Sequence, residues 1–321
     1  IAQEVLKKFN INKNIAFNKL FNLNNKKNKI TISDLGYLIG PILNAGGRLG
    51  KSNIASELLS SDNLEIVNNR SNELIKLNNK RKEIETLILN EINFDKIENE
   101  NKDVIIYYNP NINEGLIGII AARLKDYFNK PSIVITNSNE LLKGSARSVY
   151  NYNIGRAIKH SLDNNLIING GGHNMAAGFT LKKNKLKNFQ ASILQHFLNT
   201  GLSGKHKFLY DSEVSSLAFN KDFYDDIKKL EPFGTGNPSP TFLIRDLKVI
   251  KASILSNKHI SLILKSKIGF SIKSISFNTL NSKIGEHLLN YKNNLNVLGQ
   301  INENIWNNKK TLQLTIRDVI L

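Results

Sequence analysis

Cysteine is absent from the 321-residue chain. That excludes disulfides, thiolate zinc sites and thiol nucleophiles, and it suits a reducing compartment. Acidic residues are the next shortage: 27 Asp and Glu face 44 Lys and Arg, a formal net charge of +17. Such an excess makes a polyanion the expected partner; abundant Lys, Asn and Ile from an AT-rich genome would give the same balance, and both accounts stay open. No apolar run is long enough to cross a bilayer, which takes about 18 residues or more. The longest, around residues 116–124, is broken by Gly118 and Arg123. Residues 1–10 lack both the basic start and the apolar core of a signal peptide, so a cytoplasmic location is expected. The chain opens on Ile rather than Met and is read as a portion of something longer.

Several catalytic signatures are missing too. There is no P-loop, nucleophile elbow or dinucleotide fingerprint. The six histidines, at positions 160, 173, 196, 206, 259 and 287, have no paired metal spacing, and no carboxylate cluster joins them. Asp222, Asp225 and Asp226 crowd a helix start, where they complement the helix dipole.

The chain is long enough for two or three units. Residues 1–61 read as short helical pieces around a solvated Asn- and Lys-rich loop at 22–29. They lead to a bent segment at 41–50 in which Asn44 and Arg48 are the strong polar side chains. Residues 62–94 contain neither Gly nor Pro and place apolar side chains on one helical face, predicting a helix of roughly 45–50 Å that connects two domains. Strand, helix and strand at 103–108, 115–128 and 131–136 predict an α/β unit closing with a helix at 185–198. Beyond a spacer at 200–206, five short strands and one helix predict an OB-like β-barrel. Alternation places Phe277 in the barrel core and leaves Phe270 and Trp306 open between core and base-stacking roles.

Within the α/β unit, Asn169-Gly170-Gly171-Gly172-His173 stands out. Three adjacent glycines permit a tight turn with a packed histidine, or an anion-binding nest with His173 as hydrogen-bond donor. Upstream, Gly144, Ser145, Ala146 and Arg147 end a strand in small residues and one guanidinium, a suitable place for a phosphate contact.

In order, the segment at 41–50, the long helix, the run from Glu114 to Leu124, the Gly144–Arg147 stretch, the glycine–histidine motif and the barrel resemble the RecJ family of the DHH phosphoesterase superfamily. The resemblance implies an α/β plus all-β architecture: the end of a DHH catalytic domain (1–61), an interdomain helix (62–98), a DHH-associated domain (99–200) and an OB-like domain (207–321). The Asp-rich metal motifs of that superfamily are not in the sequence. What is implied is a 5′→3′ exonuclease of single-stranded DNA in repair and recombination, using Mn²⁺ or Mg²⁺ on ligands outside this chain. His173 would act on the scissile phosphate, and Asn44, Arg48, Ser145, Arg147, Gly171 and Gly172 would bind DNA phosphates. Implied partners are single-stranded DNA, a single-strand-binding protein and a helicase, with a monomer acting away from membranes. The alternatives are a non-catalytic single-strand-binding protein and a DHH phosphodiesterase of short or cyclic nucleotides.

Overall fold

The computed structural model describes residues 14–26, 30–100, 102–202, 209–234, 236–280, 282–290, 294–306 and 309–320, without the side chains of 283, 305 and 306. The chain divides into two compact units, one spanning residues 8–206 and one running from residue 207 onward.

The first unit starts with α1 (Ile15–Leu23), whose N-terminus is capped by the Asn14 side chain accepting from the Phe17 N–H. A turn at Ile32–Asp34 and a π-helical stretch at Leu35–Ile39 run directly into α2 (Gly40–Arg48). Pro41 lies in the first turn of α2, where its missing N–H leaves no bond unmade, so the segment expected to be bent is helical. Gly50, at φ +81°, then turns the chain away.

After α3 (Asn53–Ser60) comes α4 (Leu64–Glu91), 28 residues and so about 42 Å long. Its buried positions, Val67, Ser71, Leu74, Asn78, Arg81, Glu85 and Ile88, alternate four and three apart. Val67 and Leu74 enter a core with Leu20, Phe21, Ile42 and Leu58. Ile88 enters another with Leu116, Ile120, Leu124 and Val134. The stretch between them is ionic. Arg81 donates to Asn78 Oδ1 at 3.2 Å and to Glu85 Oε2 at 2.8 Å, and Arg123 donates to Glu85 Oε1 at 2.7 Å.

A short α5 (Phe94–Asn99) precedes the α/β part: β1 (Ile105–Tyr108), α6 (Ile117–Phe128), β2 (Ser132–Ser138), β3 (Leu141–Arg147), α7 (Ile154–Asp163), β4 (Asn169–His173), β5 (Ala176–Leu181) and α8 (Leu186–Leu198). The sheet order is β1-β2-β3-β5-β4, with β1 and β2 parallel and the other neighbours antiparallel. Alternation gives the sheet two faces. Ile133, Ile135, Leu142, Ala146, Phe179 and Leu181 pack with residues of α7 and α8 in one core, while Val134 packs with α6 on the opposite side.

The glycine motif is neither a tight turn nor a nest. Residues 169–173 form the edge strand β4, and none of its glycines has a positive φ. What two of them provide is close approach: a Cβ on Gly170 would meet Ile167, Ile158 and Phe179 at 2.8–3.0 Å, and one on Gly172 would collide with Ala176 and Ala177.

In the second unit, β7 (Phe242–Leu255), β8 (His259–Ser266), β9 (Ser271–Ser276), β10 (Leu295–Trp306) and β11 (Lys309–Ile320) pair in the order β10-β11-β9-β8-β7, and β10–β7 pairing closes the barrel. The two-residue β6 (Ser212–Glu213) adds to β7, α9 (Lys221–Lys229) contributes Ile227 to the core, and α10 (Lys283–Asn290) contributes Leu288. Residues 304–306 lie at the end of β10 opposite 309–311. Phe277 is not core. It is half-exposed, edge-on to His259 at 5.2 Å, whereas Phe270 packs against the barrel interior. The Trp306 side chain lies outside the described residues. Among the described residues no helix is long and apolar enough to cross a membrane.

Candidate functional site

The face of the sheet that carries Val134 is covered by α6 at β2 and β3 and continues beyond it over β5 and β4. Pairing aligns three cross-strand rows there: Arg147–Ala176–His173, Ser145–Gly178–Gly171 and Lys143–Thr180–Asn169. Above these strands lies a cleft of about 820 Å³, lined by Gly47, Arg48 and Gly50 from the end of α2, by the loop Asn113 to Gly115, by the start of α6, and by Lys143, Ser145, Arg147, Asn169, Gly178 and Thr180 of the sheet.

Backbone contact sets the cleft walls. The Arg48 guanidinium donates to the Gly115 carbonyl at 2.9 Å, and the Gly115 backbone lies so close to that of Arg48 that a Cβ would overlap it. Arg147 Nη1 donates to the Ala146 carbonyl at 2.8 Å and to Ser145 Oγ at 3.1 Å. Gly118 on α6 makes room for this arrangement, since a Cβ there would stand 2.9 Å from an Arg147 nitrogen and 3.1 Å from Ser145 Oγ.

The electrostatics follow from partial burial. Burial pushes the Arg48 pKa down; the neighbouring Arg81 cation lowers it further and Glu85 opposes that. Arg147 is lowered by burial and then by Arg48. Both remain charged. Glu114 is the carboxylate among the lining residues; a hydrogen bond from Lys143 at 2.7 Å and another from Ser138 hold it below the usual carboxylate range. Two guanidiniums therefore repel each other across a cleft in which the acid is already paired, an arrangement that an incoming anion relieves.

Of the residues singled out from sequence, Arg48, Ser145 and Arg147 line the cleft. Asn44 is exposed one turn before Arg48 on the same side of α2, outside the lining. Gly171 and His173 lie on the same sheet face, with His173 in the Arg147 row. The Met175 N–H donates to His173 Nδ1 at 3.3 Å, which places the proton of a neutral ring on Nε2 and leaves that N–H as a donor. Gly172 serves internal packing on the other face. Sequence reasoning missed Lys143, Asn169, Thr180 and Gly118. Alternation along β3 could have found Lys143, two residues before Ser145.

Comparison with known families matches residues 101–199 to the DHHA1 domain and residues 210–318 to the RecJ OB domain. The chain belongs to the RecJ family. The single-stranded-DNA-specific exonuclease RecJ of Haemophilus influenzae is 32% identical over 307 residues, covering 91% of this chain and 52% of that protein. RecJ of Bacillus subtilis is 26% identical, covering 88% of this chain and 36% of the relative. The chain thus spans about half or less of the curated relatives it matches. Among solved structures, RecJ from Thermus thermophilus in complex with Mn²⁺ superposes with a TM-score of 0.75 at 21% identity, covering 96% of this chain and 44% of that one. At that identity the likeness is one of fold.

Proposed function

We propose that this chain is the substrate-holding part of a RecJ-type exonuclease, which grips the 5′ end of single-stranded DNA for 5′→3′ removal of nucleotides. The observation that carries this reading is the Arg48–Arg147 pair, two half-buried guanidiniums on one cleft with no carboxylate between them. Ser145 adds a hydroxyl beside Arg147, and Asn44, one turn from Arg48, offers an amide at the cleft's approach. The Nε2–H of His173, across Ala176 from Arg147, would donate to the scissile phosphate as charge develops on it, and the exposed backbone at Gly171 lets the strand lie close. Further along the DNA, the barrel would hold the strand, with Phe277 as a platform for a base.

Solved RecJ structures carry Mn²⁺ or Mg²⁺. Among the described residues no group of three His, Asp or Glu could hold such an ion, so these side chains do not fit the metal and the part assigned to them is binding and orientation. The barrel is what favours a polymer over a short or cyclic nucleotide. Single-strand-binding protein and a helicase are the protein partners such an enzyme would work beside.

Fluorescence anisotropy with a 5′-phosphorylated oligonucleotide tests the reading. Arg147→Ala is expected to weaken binding and to reduce the salt slope by about one. An unchanged slope removes the phosphate contact. In a Mn²⁺-dependent nuclease assay on the intact exonuclease, His173→Ala should cut turnover with affinity nearly retained, and equal loss of both would refute its role at the scissile phosphate.

A further inference from the structure

We propose that Glu85, buried in the middle of α4, is a positioning residue for the two arginines of the cleft, acting on them through Arg123 and α6. This role rests on the phosphate reading of the arginine pair and adds what holds that pair in place. α6 is the element that both arginines share. The Gly115 carbonyl just before it accepts from Arg48 at 2.9 Å, and one turn further on the bare Gly118 makes room for the Arg147 guanidinium. About 7.5 Å along the same helix from Gly118, Arg123 Nε donates to Glu85 Oε1 at 2.7 Å. A small slide or rotation of α6 moves both cleft cations, and the Glu85–Arg123 bond is placed to resist it.

Glu85 is fixed in its turn. Each carboxylate oxygen takes one guanidinium, Arg123 on Oε1 and Arg81 on Oε2, and Arg81 is braced by Asn78 Oδ1 at 3.2 Å. Glu85, Arg81 and Asn78 all belong to α4, whose Leu74 shares a core with Ile42 of α2. The carboxylate thereby ties α6 to the helix that supports α2, and α2 ends at Arg48. It also offsets the repulsion of Arg81 on Arg48. Stability alone does not demand an ionic stripe here. It lies between apolar cores at Leu74 and Ile88, and well-packed hydrophobic side chains in place of a buried ion pair are often neutral or stabilising. What the carboxylate supplies is a set position, because hydrogen bonds are directional and apolar contacts are not.

Fluorescence anisotropy of the 321-residue chain with two oligonucleotides that differ only in a 5′-phosphate or a 5′-hydroxyl tests this. The unaltered chain is expected to favour the phosphate by about ten-fold, the worth of one charge-assisted contact. Arg123→Gln, at a half-exposed position that leaves Arg81 on Glu85, should cut that preference to about two-fold while the affinity for the hydroxyl end and the melting temperature hold. Arg123→Lys, which keeps a cation within reach of Glu85, should restore it. Arg81→Met combined with Glu85→Leu should keep the melting temperature and lose the preference, which separates position from stability. Full preference in Arg123→Gln overturns the positioning role and leaves the arginine reading standing. Equal loss with both oligonucleotides, the mark of a structural role, does the same. No preference in the unaltered chain overturns the arginine reading and the role of Glu85 with it.

Discussion

Gly118 and Arg147 form a lock in which one residue is defined by what it omits. Replacing Gly118 with Ala should stabilise α6 by roughly 0.5–1 kcal/mol on helix propensity. The same methyl would land 2.9 Å from the Arg147 guanidinium and move it. The expected outcome is a melting temperature equal to or above that of the parent with weaker binding of 5′-phosphorylated single strands, read by thermal melt and anisotropy. A second residue-level expectation concerns His196, whose Nδ1 is 3.2 Å from the Tyr152 hydroxyl and whose ring is 5.6 Å from that of His160. Burial, and then the His160 charge, lower its pKa from 6.5. A base whose folded pKa is depressed contributes its stability above the unfolded value and loses it as pH falls through the folded one. Melting temperature should therefore drop as pH falls below about 6.5, and His196→Gln should flatten that drop in melts between pH 7.5 and 5.

At the scale of elements, α4 shows what pattern alone can and cannot carry. Its helical nature was legible in the stretch 62–94, which has neither Gly nor Pro. That its central stripe would be ionic was not, because nothing in the sequence shows that Arg81, Glu85 and their helix neighbour Asn78 are buried, or that Arg123 of α6 reaches Glu85. Removing one partner from so buried a network is costly: Glu85→Gln should destabilise by about 3–5 kcal/mol, comparable with roughly 2–5 kcal/mol for Leu74→Ala, as urea denaturation can show. Glycine misled in the opposite direction. Residues 169–173 were read as a tight turn or an anion-binding nest because glycine has no preference for strands, and only the tight fit at Gly170 and Gly172 explains an extended run there. Arg48, Ser145 and Arg147 were legible from their motifs. Asn169 and Thr180 became visible only through strand register, and sheet pairing cannot be read from one sequence. The barrel strands were legible from alternation, but alternation misplaced Phe277, which lies one residue beyond the end of β9, where the inside–outside pattern has stopped.

For the whole molecule, the proposed grip on single-stranded DNA rests on two features: a cleft carrying two arginines in the first unit and a closed barrel with an exposed aromatic in the second. Phe277→Ala should weaken single-strand binding by about 1–3 kcal/mol with little change in salt slope, the reverse of the Arg147→Ala signature. Measuring both variants across a salt series separates stacking from phosphate contact. The ionic middle of α4 carries a further consequence. A helix anchored in oil at both ends and in charge at its centre need not open as one piece, so each core can breathe while the other stays closed. Native-state amide exchange should resolve two sub-global openings along this single helix. One would include amides near Leu74 and the other those near Ile88, with the boundary at the Arg81–Glu85 turn.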